Sequence, residues 1–117
     1  MASMIILYGI PNCDTVKKAR GWLDSQSLPY AFHDYKKSGA DAIILAAWCN
    51  AKGWELILNR AGTTFKKLPD TDKADLDQTK AIALMVAQPS MIKRPIAEYS
   101  GGLLVGFKQS EWEVVFA

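Results

Sequence analysis

The stretch Leu7-Tyr8-Gly9-Ile10-Pro11-Asn12-Cys13-Asp14-Thr15-Val16-Lys17-Lys18-Ala19 passes from a strand pattern to a helix pattern across a single turn. Upstream, Met4 to Tyr8 is a short apolar run rich in β-formers, and the Gly9-Ile10-Pro11-Asn12 cluster ends it, so it reads as a buried strand. Downstream, Val16, Ala19 and Leu23 recur at helical spacing, with Lys17, Lys18, Arg20 and Asp24 on the other faces. Asn12 is the expected N-cap, which puts Cys13 in the first turn among backbone N–H groups that lack an intrahelical partner. A thiol in that setting gains from the helix dipole and the free N–H groups, and its pKa falls from about 8.5 into the range of roughly 3.5 to 7.5. The thiolate is the nucleophile. Asp14 next door opposes it unless its side chain turns away, and plain packing is the alternative reading for a cysteine.

Working outward, Tyr30 to Tyr35 is a second strand, and strand, helix, strand in so few residues predicts a right-handed parallel crossover. Ile44, Leu45, Trp48 and Cys49 form the apolar stripe of a further helix that ends near Gly53, and Leu56 to Leu58 adds a helical turn. Thr71 to Gln88 reads as one helix or two short ones, with Ala81, Ile82, Met85 and Val86 facing a core. After Pro89, Ile96 to Tyr99, the Ser100-Gly101-Gly102 turn and Leu103 to Phe107 form a β-hairpin. A last helix from about Ser110 carries Trp112, Val115 and Phe116. The fold class is therefore α/β with a mixed, four-stranded sheet.

Composition sets the frame. The 117 residues are half hydrophobic and 22% charged, which is globular rather than disordered, and are enough for one domain with a continuous core. The net charge of +2 is too small for a broad nucleic-acid or membrane-binding surface, so an anion site must be local. Met1 to Tyr8 is too short for a signal peptide and no later apolar run reaches spanning length, which predicts a cytoplasmic protein. The two cysteines, Cys13 and Cys49, do not form a Cys-x-x-Cys pair, and position 16 is Val16. A disulfide scaffold and a zinc site are both poorly supported, and Cys13 works without an adjacent resolving thiol.

Other residues carry weaker signals. Arg94 precedes Pro95, which biases it toward extended geometry just before a strand, and its guanidinium suits an oxyanion or carboxylate; a solvated arginine is the plainer reading. Arg60 has similar standing. Gly62-Thr63-Thr64 reads as an anion nest or, more simply, as a turn that caps a helix at Phe65. Lys66, Lys67, Lys93 and Lys108 read as solvated charges, although Lys108 follows the last strand and can approach a site at the sheet end. His33, the single histidine, lies within a strand, where partial exposure explains it better than pairing with a thiol, and Cys49 reads as core packing.

The opening stretch resembles the arsenate reductase-like family, the ArsC/Spx/YffB group, and is most similar to its YffB branch. Phe32-His33-Asp34-Tyr35, Leu58-Asn59-Arg60 with Gly62-Thr63-Thr64-Phe65-Lys66-Lys67-Leu68, and Ile92-Lys93-Arg94-Pro95-Ile96 resemble that branch in the same order. The resemblance implies a thioredoxin-like fold, residues 1–117 as a single domain, with a helical insertion at about 41–88 and a cis peptide before Pro95. The family's nucleophile maps onto Cys13 and its anion-binding arginine onto Arg94. Arg60 is the candidate in the middle stretch, where the family's arginine shifts by a residue among branches. A third arginine of arsenate reductases has no counterpart, and Lys108 is the nearest charge; lysine lacks the arginine fork, which counts against arsenate. The family reading is a glutathione-dependent thiol reductase, with Asn12, Arg60, Arg94 and Lys108 around an anion. Glutathione is the co-substrate, no cofactor is bound, glutaredoxin is a candidate partner and the chain is a monomer. The alternatives are an Spx-like regulator that binds RNA polymerase, against which Val16 removes the Cys-x-x-Cys switch, and a family member that has lost its chemistry.

Overall fold

The computed structural model describes residues 4–116; residues 1–3, part of the stretch read as too short for a signal peptide, and residue 117 lie outside the described residues. In chain order the elements are β1 (Ile5–Gly9), α1 (Asp14–Ser25), β2 (Tyr30–Asp34), α2 (Tyr35–Ser38), α3 (Ala42–Lys52), α4 (Trp54–Ile57), α5 (Thr63–Lys66), α6 (Asp70–Lys73), α7 (Gln78–Ala87), β3 (Ile96–Tyr99), β4 (Gly102–Val105) and α8 (Gln109–Phe116). They form two compact units: the chain up to Ser38 together with the chain from Arg94 onward, and the continuous stretch Gly39–Lys93.

The first unit is a thioredoxin-like mixed sheet in the order β2-β1-β3-β4. β1 pairs in parallel with β2, Tyr8 opposite His33 and Gly9 opposite Asp34, as the strand, helix, strand pattern predicts. On its other side β1 pairs antiparallel with β3, Tyr8 opposite Ile96, and β3 forms the expected hairpin with β4. As a central strand β1 is buried along most of its length, and its side chains alternate between the two faces. Ile5 and Leu7 join Ala19, Trp22 and Leu23 of α1, Ala97 of β3 and Trp112 of α8 in one core. Trp22 meets Trp112 edge-on at 6.2 Å, and the Trp112 indole N–H donates to the Gly106 carbonyl at 3.2 Å. In α8, Trp112 is fully buried and Phe116 packs on that core, but Val115, expected beside them, is exposed. A helix this short buries one narrow stripe, and Trp112 and Phe116 at i and i+4 already fill it.

In the second unit, Asp41 caps α3 by accepting from the Ile43 and Ile44 backbone N–H groups at 2.7 and 3.2 Å. Leu45, Trp48 and Cys49 are buried as the stripe predicts, and Gly53 ends the helix at a φ of 89° that favours glycine. The segment Thr71 to Gln88 resolves into two helices. Asp75 adopts a left-handed φ of 52°, and the Asp77 carboxylate caps α7 by accepting from the Lys80 N–H at 2.8 Å. Ala81 and Met85 are buried one helical turn apart, whereas Val86, expected in the core, is 40% exposed because it is rotated off that stripe. The Gly62-Thr63-Thr64 segment starts α5 with Gly62 as N-cap, so the capping reading holds, two residues earlier than Phe65. Among the described residues, no helix is long and apolar enough to cross a membrane.

Candidate active site

β1 ends at Gly9, and the chain turns through Pro11 and Asn12 before α1 starts. A Cβ on Gly9 would lie 2.7 Å from Val16 Cγ2, so the glycine lets the strand end and the first turn of α1 approach this closely. The turn is closed by the Cys13 N–H donating to the Ile10 carbonyl at 3.3 Å. Cys13 itself, extended at φ −91° and ψ 126°, is the N-cap of α1. This corrects the expectation for Asn12, which is exposed in the turn, and moves Cys13 from the first turn to the cap. The cap carbonyl still accepts from the Lys17 N–H at 2.9 Å, so the helix starts normally.

At a cap the side chain faces the free N–H groups of the next residues. Cys13 forms no conventional side-chain cap bond, yet the Val16 and Thr15 N–H groups favour its charged form. Partial burial, the largest single influence, pushes the thiol up. The Val16 N–H, a hydrogen bond from the Arg94 side chain, the Thr15 N–H and the Arg94 charge together outweigh it, and the thiol lies below its ordinary pKa. The neighbouring Asp14 is exposed and is not among the groups that shift Cys13.

Arg94 is the side chain that reaches the thiol. It precedes a cis peptide bond to Pro95, a buried residue whose carbonyl accepts from the Gly106 N–H at 2.8 Å, so the start of β3 is tied to the end of β4. Cys13 and Arg94 are therefore the two predicted site residues that the structure brings together. Lys108 is exposed ahead of α8, and its carbonyl accepts from the Glu111 and Trp112 N–H groups at 3.0 and 3.1 Å, which is a helix-starting role for its backbone. Arg60 belongs to the second unit, where its guanidinium lies 5.5 Å from the Trp54 ring centroid. Cys49 is buried in α3, and burial raises its pKa, as expected of a packing thiol.

Three residues near this end of the sheet were not singled out by sequence reasoning. Tyr8 and Glu98 lie diagonally on one face, since Glu98 pairs with Ile6, and the Tyr8 hydroxyl donates to Glu98 Oε1 at 3.2 Å. Burial, the Glu98 charge and this bond push the Tyr8 hydroxyl up to about 12. Tyr35, buried, stacks on Tyr8 at 6.2 Å and meets His33 edge-on at 5.5 Å. His33 is thus half-buried in an aromatic cluster with Tyr8, 4.9 Å away. The available signal was the two-residue alternation that sets Tyr8 on the opposite face from Ile5 and Leu7.

The first unit is thus a thioredoxin-like sheet whose half-exposed cysteine caps the first helix, beside an arginine that precedes a cis-proline. The chain belongs to the ArsC family, whose model matches residues 8–115. The solved structure of the YffB protein is 57% identical, with a TM-score of 0.95, and the match covers 97% of this chain and 99% of that one. An uncharacterised protein of Haemophilus influenzae is 40% identical over 97% of this chain and its own full length. The global transcriptional regulator Spx of Streptococcus mutans is 28% identical over 92% of this chain and 80% of its own length.

Proposed function

We propose that this protein is a glutathione-dependent thiol reductase in which the Cys13 thiolate attacks a mixed disulfide of glutathione while Arg94 holds an anionic group of that substrate. The observation that supports this most is the convergence of the Val16 N–H, the Thr15 N–H and Arg94 on one sulfur, which lowers the Cys13 thiol and favours its thiolate without a neighbouring base. In the first step the thiolate attacks the glutathione sulfur of the mixed disulfide. The substrate S–S bond breaks, a Cys13–glutathione disulfide forms and the substrate leaves as its thiolate. A second glutathione thiolate then attacks the glutathione sulfur on Cys13, releasing oxidised glutathione and restoring the Cys13 thiolate. Electrons pass from the second glutathione to the substrate. With valine at position 16 there is no local thiol to intercept the adduct, so release falls to an external one, and glutathione is the abundant thiol of a reducing cytoplasm. Glutaredoxin is an alternative second thiol, and arsenate an alternative first acceptor.

Incubation with a glutathionylated peptide, followed by intact-protein mass spectrometry, tests this reading. Wild type and Cys49→Ala gain one glutathione, lose it on addition of reduced glutathione and release free peptide thiol catalytically; Cys13→Ser does none of these. Turnover that survives in Cys13→Ser, or an adduct carried on Cys49, contradicts it. The extended match to Spx regulators supports a second reading, in which the domain binds RNA polymerase. Stable capture of polymerase subunits by a chain with no thiol turnover selects that reading.

A further inference from the structure

Three chain segments arrive at the same end of the sheet. β1 finishes at Gly9 and leads into Cys13; β2 finishes at Asp34, the partner of Gly9, and leads directly into Tyr35; Arg94 stands two residues before Ile96, the β3 partner of Tyr8. Tyr35 is only 4% exposed, held by stacking on Tyr8 and by the edge contact with His33. Its hydroxyl is buried with no hydrogen-bond partner among the described residues, in contrast to Tyr8, whose hydroxyl is committed to Glu98. Buried hydroxyls are almost always paired, and a phenylalanine would fill the same space without the unmet donor. An anion held by Arg94 is rich in acceptors, so donor and ligand are complementary.

We propose that the Tyr35 hydroxyl donates a hydrogen bond to the anionic group that Arg94 holds beside Cys13, which makes Tyr35 a substrate-binding residue. Burial, above all, pushes this hydroxyl up, the Tyr8 and Glu98 charges act in the same direction, and the Arg94 charge opposes them. The inference rests on the reductase reading for the presence of an anion at Arg94.

Its test is protection of Cys13 from iodoacetamide by S-methylglutathione and, separately, by arsenate, in Cys49→Ala and in Cys49→Ala with Tyr35→Phe. The expected result is a half-protecting concentration raised about tenfold or more by Tyr35→Phe, the scale of a hydrogen bond to a charged group, with the rate and pH midpoint of unprotected alkylation unchanged. Equal protection in the two variants overturns the role of Tyr35 and leaves the reductase reading intact. A loss of protection matched by a loss of unprotected reactivity also overturns it, since that is disturbed packing. No protection of Cys49→Ala by either probe overturns both. In the unaltered chain, carbon-13 labelling of tyrosine gives an independent measurement: the Tyr35 Cζ resonance shifts with the midpoint of protection, and a resonance indifferent to both probes contradicts the inference.

Discussion

At Cys13 the opposing influences are small in number and can be named. Burial raises the thiol; two backbone N–H groups and one arginine lower it by more. A group whose native pKa is depressed stabilises the fold above its unfolded pKa, and that contribution disappears as pH falls through the native value. The difference in urea midpoint between wild type and Cys13→Ala therefore grows in favour of wild type as pH rises from the lowered native pKa to the ordinary thiol value, and is flat above it. A difference that shrinks over that window contradicts the assignment. The chemistry of this residue was legible in sequence because strand, turn and helix patterns place a cysteine at a helix start whatever the rest of the chain does. The cap position was not, since Asn12 and Cys13 compete for it and only the Ile10–Cys13 turn decides between them. Tyr35 was hidden for a different reason: it read as the last residue of a strand, and its unmet hydroxyl exists only in three dimensions.

At the scale of the element, α1 shows how termination was missed while the body was read correctly. Its buried face is Val16, Ala19, Trp22 and Leu23, the spacing anticipated with one tryptophan added. Its end is a left-handed turn at Ser27, φ 54°, with the Ser27 N–H donating to Asp24 at 3.0 Å and the Leu28 N–H to Leu23 at 3.0 Å. Glycine is the usual residue there because a Cβ is strained at that φ. Ser27→Gly is expected to stabilise the protein by about 0.5–1 kcal/mol, measured by chemical denaturation, through relief of that strain; a destabilisation of similar size would show that the serine makes a compensating contact. The split of Thr71–Gln88 was open in sequence, and it is Asp77, as a side-chain cap, that sets the boundary.

For the whole molecule, the strand, helix, strand and hairpin were readable because the sheet needs only short apolar runs and turn residues. Their order across the sheet, with β1 between β2 and β3, depends on pairings between distant segments and became definite only in the structure. The unit Gly39–Lys93 was readable as helical because Leu45, Trp48 and Cys49 in α3 and Ala81 and Met85 in α7 recur at helical spacing. Trp112 ties the last helix to the core of the first unit by contacts with Trp22 and Phe107. Trp112→Ala is expected to cost about 3–5 kcal/mol in chemical denaturation; a loss below about 1 kcal/mol would mean that α8 is peripheral to that core.

The reductase reading depends on the ionisation of Cys13. The rate of its alkylation by iodoacetamide against pH, in Cys49→Ala so that one thiol reports, and again with Arg94→Ala added, measures it directly. We predict a midpoint below that of an ordinary thiol, moved upward by Arg94→Ala. A midpoint at the ordinary value, unmoved by loss of the arginine, contradicts an activated thiol and with it the reductase reading.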